Sequence, residues 1–232
     1  MKLERITIKR PDASKRRYDD ACAATHGMDI IGERWALPIM RELMLGPRRF
    51  GELRRSLPAL SANVLTQRLE GLEEAGIVRR IKLPPPASVQ VYGLTDWGQQ
   101  AGPVFQALGR WAARSPLHDP TRPFSPVSLM LSLRTMIDVG AAGDLVARLG
   151  FRFGEDDFHC MIDHGAIQLG RGLPDDPQIV FSGEPDGMAA LIYTGVPIDA
   201  LEAESKLTVA GDRALAERLR DYFPMPDKAA LT

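Results

Sequence analysis

The chain has 232 residues, room for one large or two ordinary domains, and its 44% hydrophobic and 25% charged content is ordinary for a globular protein. Two cysteines exclude a disulfide framework and a Cys-based zinc site, and no apolar run approaches the roughly 18 residues of a membrane span. With no signal-peptide core at the N-terminus, a cytoplasmic protein without membrane association is expected. The net charge of −1 hides an asymmetry. Residues 1–115 hold 19 Lys and Arg against 12 Asp and Glu, net +7, while residues 116–232 hold 10 against 18, net −8. A basic half suits a polyanion, because neutralised phosphates release counterions.

Met1 to Arg17 is basic and lacks sustained periodicity, so an arm or a loosely packed strand is expected there. A helical stretch from Tyr18 to Gly32 leads to a second helix through Leu37, Met40, Leu43 and Met44, in which Pro38 is tolerable only in the first turn. Phe50, Leu53 and Leu57 then give a short amphipathic helix with Arg48, Arg49, Arg54 and Arg55 outside its apolar face. Pro58-Ala59-Leu60 interrupts it. Ser61 supplies an N-cap, Leu65, Leu69 and Leu72 form the buried stripe of the next helix, and Gly76 ends it. Two helices joined by a short turn, the second with a polar tip, is the helix-turn-helix pattern.

Strands are predicted at Ile77–Leu83 and Ser88–Leu94 around a Pro84-Pro85-Pro86 turn, which makes a wing. Asp96 is expected to cap one long helix through Trp97, Val104, Phe105, Leu108 and Trp111. Four prolines between Ser115 and Pro126 read as a semi-rigid linker. Beyond it comes an amphipathic helix with Leu129, Leu133, Met136 and Ile137. Short strands follow near Gly150–Gly154, Asp157–Asp163, Ala166–Gly170 and Gln178–Ser182. Helical patterns at Asp186–Tyr193 and Pro197–Ala203, a strand at Lys206–Ala210 and a helix capped by Asp212 with Leu215, Leu219 and Phe223 complete the chain. Helices on one side of a small sheet make an α+β layer.

From Cys22 to about Trp111 the sequence resembles the HxlR-type winged helix-turn-helix transcription regulators. The resemblance rests on Ile31-Gly32-Glu33-Arg34-Trp35, Gly46-Pro47, Arg49-Phe50, Leu57-Pro58, Leu65-Thr66-Gln67-Arg68-Leu69, Leu72-Glu73-Glu74-Ala75-Gly76 and Tyr92-Gly93-Leu94-Thr95. It implies a homodimer that contacts two half-sites of double-stranded DNA. The tail resembles the sterol-carrier-like lipid-binding fold, through Phe181-Ser182-Gly183-Glu184-Pro185-Asp186, Leu201 to Lys206 before Leu207-Thr208-Val209, and Gly211-Asp212. That resemblance implies a hydrophobic space between sheet and helices, and no catalytic residue. The fold expected is α+β throughout: a winged helix-turn-helix over 1–115 with its arm and dimerisation helices, a linker over 116–126, and a sterol-carrier-like regulatory domain over 127–232.

The DNA-reading candidates are Ser61, Asn63, Val64, Thr66, Gln67 and Arg68 at the start of the second helix, since Asn and Gln can pair with adenine and Arg with guanine or phosphate. Arg48, Arg49, Arg80 and Lys82 are the phosphate clamps, alongside Arg54, Arg55 and Arg79. Glu70, Glu73 and Glu74 restrict DNA contact to the helix's N-terminal half. Plain solvent exposure is the competing reading for each. Met188, Leu191, Ile192, Ile198 and Leu201 are candidate liners for a hydrophobic small-molecule effector, unless they simply complete the core. Cys22 is a candidate redox sensor, or else a small buried hydrophobe, with Asp19 and Asp20 opposing its ionisation.

His159, Cys160, Asp163 and His164 are the one cluster with nucleophile or metal potential. On a strand, His159 and Asp163 share one face while Cys160 points to the other, which breaks a Cys–His dyad. No catalytic residue, cofactor or metal site is expected, and the sequence carries no phosphate-binding loop or nucleophile elbow. The reading is a dimeric DNA-binding regulator. Its rivals are a small-molecule carrier or enzyme that the winged helix only localises, and a tail that serves solely as a dimerisation module.

Overall fold

The structure is a computed structural model that describes residues 18–86 and 88–230. The predicted arm, Met1 to Arg17, lies outside the described residues. Helix α1 (Ala23–Ile31) leads through a turn to α2 (Ala36–Leu43), where Pro38 does fall in the first turn and so breaks no intrahelical bond. Ile39, Met40 and Leu43 bury one side of α2 against α3 (Phe50–Ser56) and α4 (Ala62–Glu74). Ser61 Oγ caps α4 by accepting from the Val64 N–H at 3.3 Å. At the other end Gly76 turns left-handed, φ +73°. The Gly76 and Ile77 N–H groups then bond back to the Glu73 and Leu72 carbonyls, so the helix stops with its last carbonyls satisfied.

Strands β1 (Val78–Lys82) and β2 (Gln90–Leu94) form the antiparallel wing, and Arg48 adds a bridge by exchanging two 2.8 Å backbone bonds with Tyr92. The single long helix predicted after Asp96 is corrected. It is two helices, α5 (Asp96–Gln99) and α6 (Gly102–Ala113), with Thr95 rather than Asp96 as the cap. Pro103 supplies the reason, since it has no N–H to donate and its ring excludes the carbonyl four residues back, so it can only open a new first turn. Thr95 Oγ1 meanwhile donates to the Gly76 carbonyl at 2.7 Å and accepts from the Gly98 N–H at 3.0 Å, tying the wing to the helices.

In the second half α7 (Pro126–Met136) is capped by Ser125. The short helix α8 (Val139–Ala142), which the sequence reading did not anticipate, precedes β3 (Val146–Phe153), β4 (Asp156–Asp163), β5 (Ala166–Arg171) and β6 (Ile179–Gly183). Helix α9 (Pro185–Ala189) runs into a π-helical turn at Ala190–Thr194; α10 (Ile198–Ala203), β7 (Leu207–Gly211) and α11 (Arg213–Arg218) follow. The sheet order is β5-β4-β3-β6-β7, with only β3 and β6 parallel. Alternation decides its faces: Leu149, Phe151, Phe153, Phe158, Cys160, Ile162, Ile179 and Phe181 are buried, while Arg152, Asp157 and Asp163 face outward.

The predicted amphipathic helix, α7, is instead apolar on nearly every side. Val127, Leu129, Met130, Leu131 and Leu133 are all buried, because α7 packs on α2 and α6 as well as on β4, β5 and α9. Buried residues of both halves therefore form one continuous core. The predicted linker is held at several points. Lys228 Nζ donates to the carbonyls of Ala113, Ser115 and His118, the Phe124 N–H donates to Asp186 at 2.8 Å, and Ser125 Oγ donates to the buried Glu42 carboxylate at 2.6 Å.

A second polar tie crosses the junction. Arg48 donates from both guanidinium arms to Asp156, at 2.7 and 3.3 Å, and Arg171 donates to the same carboxylate at 2.9 Å. Burial alone would raise the Asp156 carboxyl, but the Arg48 hydrogen bond and the charges of Arg48 and Arg171 outweigh it and hold it below the usual carboxylate range. A folded-state value below the unfolded one gives stability that is present above about pH 4 and is lost as pH falls through the depressed value. Asp156→Asn should therefore cost about 2 kcal/mol at neutral pH. Urea unfolding at a series of pH values should show that gap closing in acid.

Candidate nucleic-acid interface

Burial of Leu65, Leu69 and Leu72 fixes the roll of α4, which leaves Asn63, Thr66, Gln67 and Glu70 exposed on the far side. Asn63 and Gln67 are one turn apart with uncommitted amide groups facing solvent, the arrangement that reaches base edges from a helix tip. Thr66 Oγ1 donates back to the Ala62 carbonyl at 3.1 Å, so its hydroxyl offers an acceptor. Ser61 is exposed with its oxygen serving the cap, and Val64 is half-buried against the core.

The basic candidates separate into three groups. Arg49, Arg54, Arg79 and Lys82 are exposed. Arg68 and Arg80 are engaged: Arg68 pairs with Glu33 at 2.9 Å and donates to the Arg34 carbonyl, while Arg80 pairs with Glu73 at 3.0 Å and lies over the Tyr92 ring. Arg55 is exposed, 4.0 Å from Glu155. The expectation that Arg48 is a phosphate clamp is corrected. It is 7% exposed, turned inward beside the wing bridge to Asp156, and carries a structural tie rather than a free charge. Nothing in its local spacing distinguishes it from Arg49, because its partner lies 108 residues away.

Comparison with known proteins places this arrangement. Residues 30–118 match the model for HxlR-like helix-turn-helix proteins. The transcriptional regulator YvaP of Bacillus subtilis is 38% identical over 85 residues, 37% of this chain and 79% of that protein. The regulator YodB of the same organism is 39% identical over 83 residues, 36% and 74% of the two chains. The structure of YodB in its reduced form aligns at 33% identity over 43% of this chain and all of that one, with a TM-score of 0.40. The chain belongs to the HxlR-like helix-turn-helix family. It is a DNA-binding transcription regulator.

Beyond the HxlR-like segment, the other candidates fall as follows. Cys22 is not the small buried hydrophobe weighed above; it is exposed as the N-cap of α1. The backbone N–H groups of Thr25 and Ala24 at the start of α1 hold its thiol below the usual range. Asp20 accepts from the Cys22 N–H at 3.0 Å and from Thr25 Oγ1 at 2.8 Å, so its carboxylate is bound into the cap. Cys160 faces the core, where burial pushes its thiol up to about 12. His159 sits on the opposite face of β4 and bonds the Gly172 carbonyl, and His164 bonds Asp163 beyond the strand. Among the described residues no group of three His, Cys, Asp or Glu is placed to hold a metal. None of their helices is long and apolar enough to cross a membrane.

Met188, Leu191, Ile192, Ile198 and Leu201 are buried at 0–4% exposure and belong to the core over the sheet. None of them lines the apolar cavity of about 360 Å³ that opens between α2, α6, α7 and Tyr193. Its polar liners, Arg41, His118, Ser128, Ser132, Thr135 and Tyr193, come from four separated stretches, so no motif marks them in the sequence. The two thiols should behave oppositely toward an alkylating agent. Iodoacetamide at pH 7.5 should label Cys22 in the native protein and leave Cys160 unmodified until denaturant is added, as peptide mass spectrometry would show.

Proposed function

We propose that this HxlR-type regulator acts as a homodimer, reading two operator half-sites with the N-terminal half of α4. Asn63, Thr66 and Gln67 face the bases, while Arg49, Arg54, Arg79 and Lys82 neutralise phosphates. The observation that carries this reading is the tip of α4, polar and exposed on one side and rolled into place by three buried leucines on the other. Arg68 and Arg80 serve as positioning residues, through Glu33 and Glu73. Asn63→Ala and Gln67→Ala should each cost about 1–3 kcal/mol of base discrimination. Arg49→Ala should weaken binding to every duplex and flatten the salt dependence. Fluorescence anisotropy with the full chain on selected and scrambled duplexes separates these outcomes; equal losses on both for all three variants would overturn the division.

The dimer contact in this reading is the apolar stripe of Val104, Leu108 and Trp111 on α6, flanked by Trp97. These side chains stand 50%, 39%, 73% and 51% exposed, more apolar surface than a helix normally leaves in water. Phe105, on the same helix, packs against the core. Tyr18 and Met28, beside and on α1, are exposed as well. Trp111→Glu should shift the sedimentation coefficient from dimer to monomer and weaken operator binding.

The sheet-bearing half is, in this reading, a sterol-carrier-like regulatory domain responding to a hydrophobic small molecule, and the protein works in the cytoplasm. The acidic balance of that half keeps it off the DNA. Cys22, with its exposed and acidified thiol, is the candidate oxidant sensor.

A further inference from the structure

The cavity at the junction is walled by both halves. Leu37, Pro38 and Arg41 come from α2, Phe105, Leu108, Gly109 and Ala112 from α6, and Ser128, Leu131, Ser132 and Thr135 from α7. Phe124 and Tyr193, stacked with ring centroids 6.4 Å apart, form one side, and Met225 and the segment at His118 and Pro120 contribute further walls. Its volume of about 360 Å³ falls within the span of about 300–1,000 Å³ in which small ligands are held. We propose that this cavity binds a small carboxylic acid with an apolar body, a medium-chain acyl or compact aromatic acid, and that the ligand sets the packing of α6 and α7 against α2.

The lining argues for that chemistry. Most of it is hydrocarbon, which suits an apolar body, and it contains no Asp or Glu, so nothing there would hold a cationic head. The charged side chain it does contain is Arg41, and His118 adds an imidazole. Arg41 pairs with Glu42 through Nε and Nη2 and leaves Nη1 out of that pairing, a position from which a guanidinium can take a second carboxylate. Ser132 Oγ lies 2.7 Å from the Leu129 carbonyl, to which it donates, and 2.6 Å from the Tyr193 hydroxyl. With the Ser132 proton spent on Leu129, Tyr193 donates to Ser132 and its own oxygen is left as an acceptor. A water that bridges to the ligand can use that acceptor.

The position argues for consequence. Helix α2 packs directly on α3 and α4, and Leu108 lies at once on the cavity wall and in the exposed stripe of α6. A ligand wedged here touches the support of the DNA-reading helix and the edge of the proposed dimer contact together. It can therefore favour one arrangement of the two recognition helices over another. This inference rests on the effector part of the proposed function and moves its site from the sheet-facing core to the junction.

The test uses the full chain with octanoate, 4-phenylbutyrate, octanol and octylamine, read by isothermal calorimetry and thermal unfolding without DNA. Octanoate or phenylbutyrate should bind saturably and raise Tm, octylamine should not, and octanol should bind more weakly. Ala112→Phe, which fills the cavity, should abolish binding. Arg41→Gln should weaken the acids about tenfold, the worth of a charged hydrogen bond, while leaving octanol unchanged. Circular dichroism checks that each variant is folded, and if Ala112→Phe is not, Arg41→Gln decides. No saturable binding by either acid, acid binding that survives in a folded Ala112→Phe, or equal binding of octylamine would overturn the proposal. Since these readouts involve no DNA, such a failure leaves the anisotropy result on α4 standing, and the reverse also holds.

Discussion

The packing of α7 between the two halves is the constraint on which the rest of the structure depends. A helix with Val127, Leu129, Met130, Leu131 and Leu133 buried around its circumference cannot stand at the end of a free linker, because too much hydrocarbon would meet water. It is stable only when α2 and α6 cover one side while the sheet and α9 cover the other. Once that is satisfied, the connecting segment has little freedom left, and the contacts of Ser125 with Glu42 and Lys228 with three carbonyls follow from where α7 must sit.

The polar ties then do what a hydrophobic interface cannot, which is to set register. Glu42 is almost fully buried, and Arg41 and Ser125 both bond its Oε1, with the N-terminus of α7 close by. Arg48 and Arg171 converge on Asp156, with Glu52 3.6 Å from Arg48 as a further acid. Removing Asp156 leaves Arg171 without its acid and Arg48 with Glu52 alone, a larger penalty than the pair's net contribution. Such ties favour a single orientation of the basic half relative to the acidic one. The basic surface of α3, α4 and the wing is thereby presented together while the acidic half carries its charge elsewhere.

For a regulator this arrangement has a clear use. DNA affinity can respond to a signal only if the signal reaches the elements that hold α4, and those elements are α2 and α3 beneath it and α6 beside them. The junction cavity, walled by α2 and α6, lies within that support. The sheet, with its aromatic core of Phe151, Phe153, Phe158 and Phe181, is the rigid body against which movement there would be measured.

Local pattern was enough for the helix-turn-helix. The leucine stripe of α4, the Ser61 cap, the Gly76 stop and the two wing strands depend on neighbours within a few residues, and each was legible before any contact was known. The strands β4 and β6, the opposite faces of His159 and Cys160 on β4, and the Asp212 cap were legible for the same reason, while β3 begins at Val146, four residues before the strand predicted at Gly150–Gly154. What local pattern could not supply were events at long range. The break of α5 from α6 hinged on Pro103 outweighing a continuous apolar stripe, and the surroundings of α7 on what covered its second side. Arg48 looked like any surface arginine until Asp156 arrived from a distant hairpin. The cavity, assembled from α2, α6, α7, Tyr193 and Met225, has no motif at all. The sequence by itself determined which segments fold and which face of each is apolar, since periodicity and capping are short-range physics. Only the tertiary structure decided which charges are spent inside and where an unfilled space remains, because both depend on residues that the chain brings together from far apart.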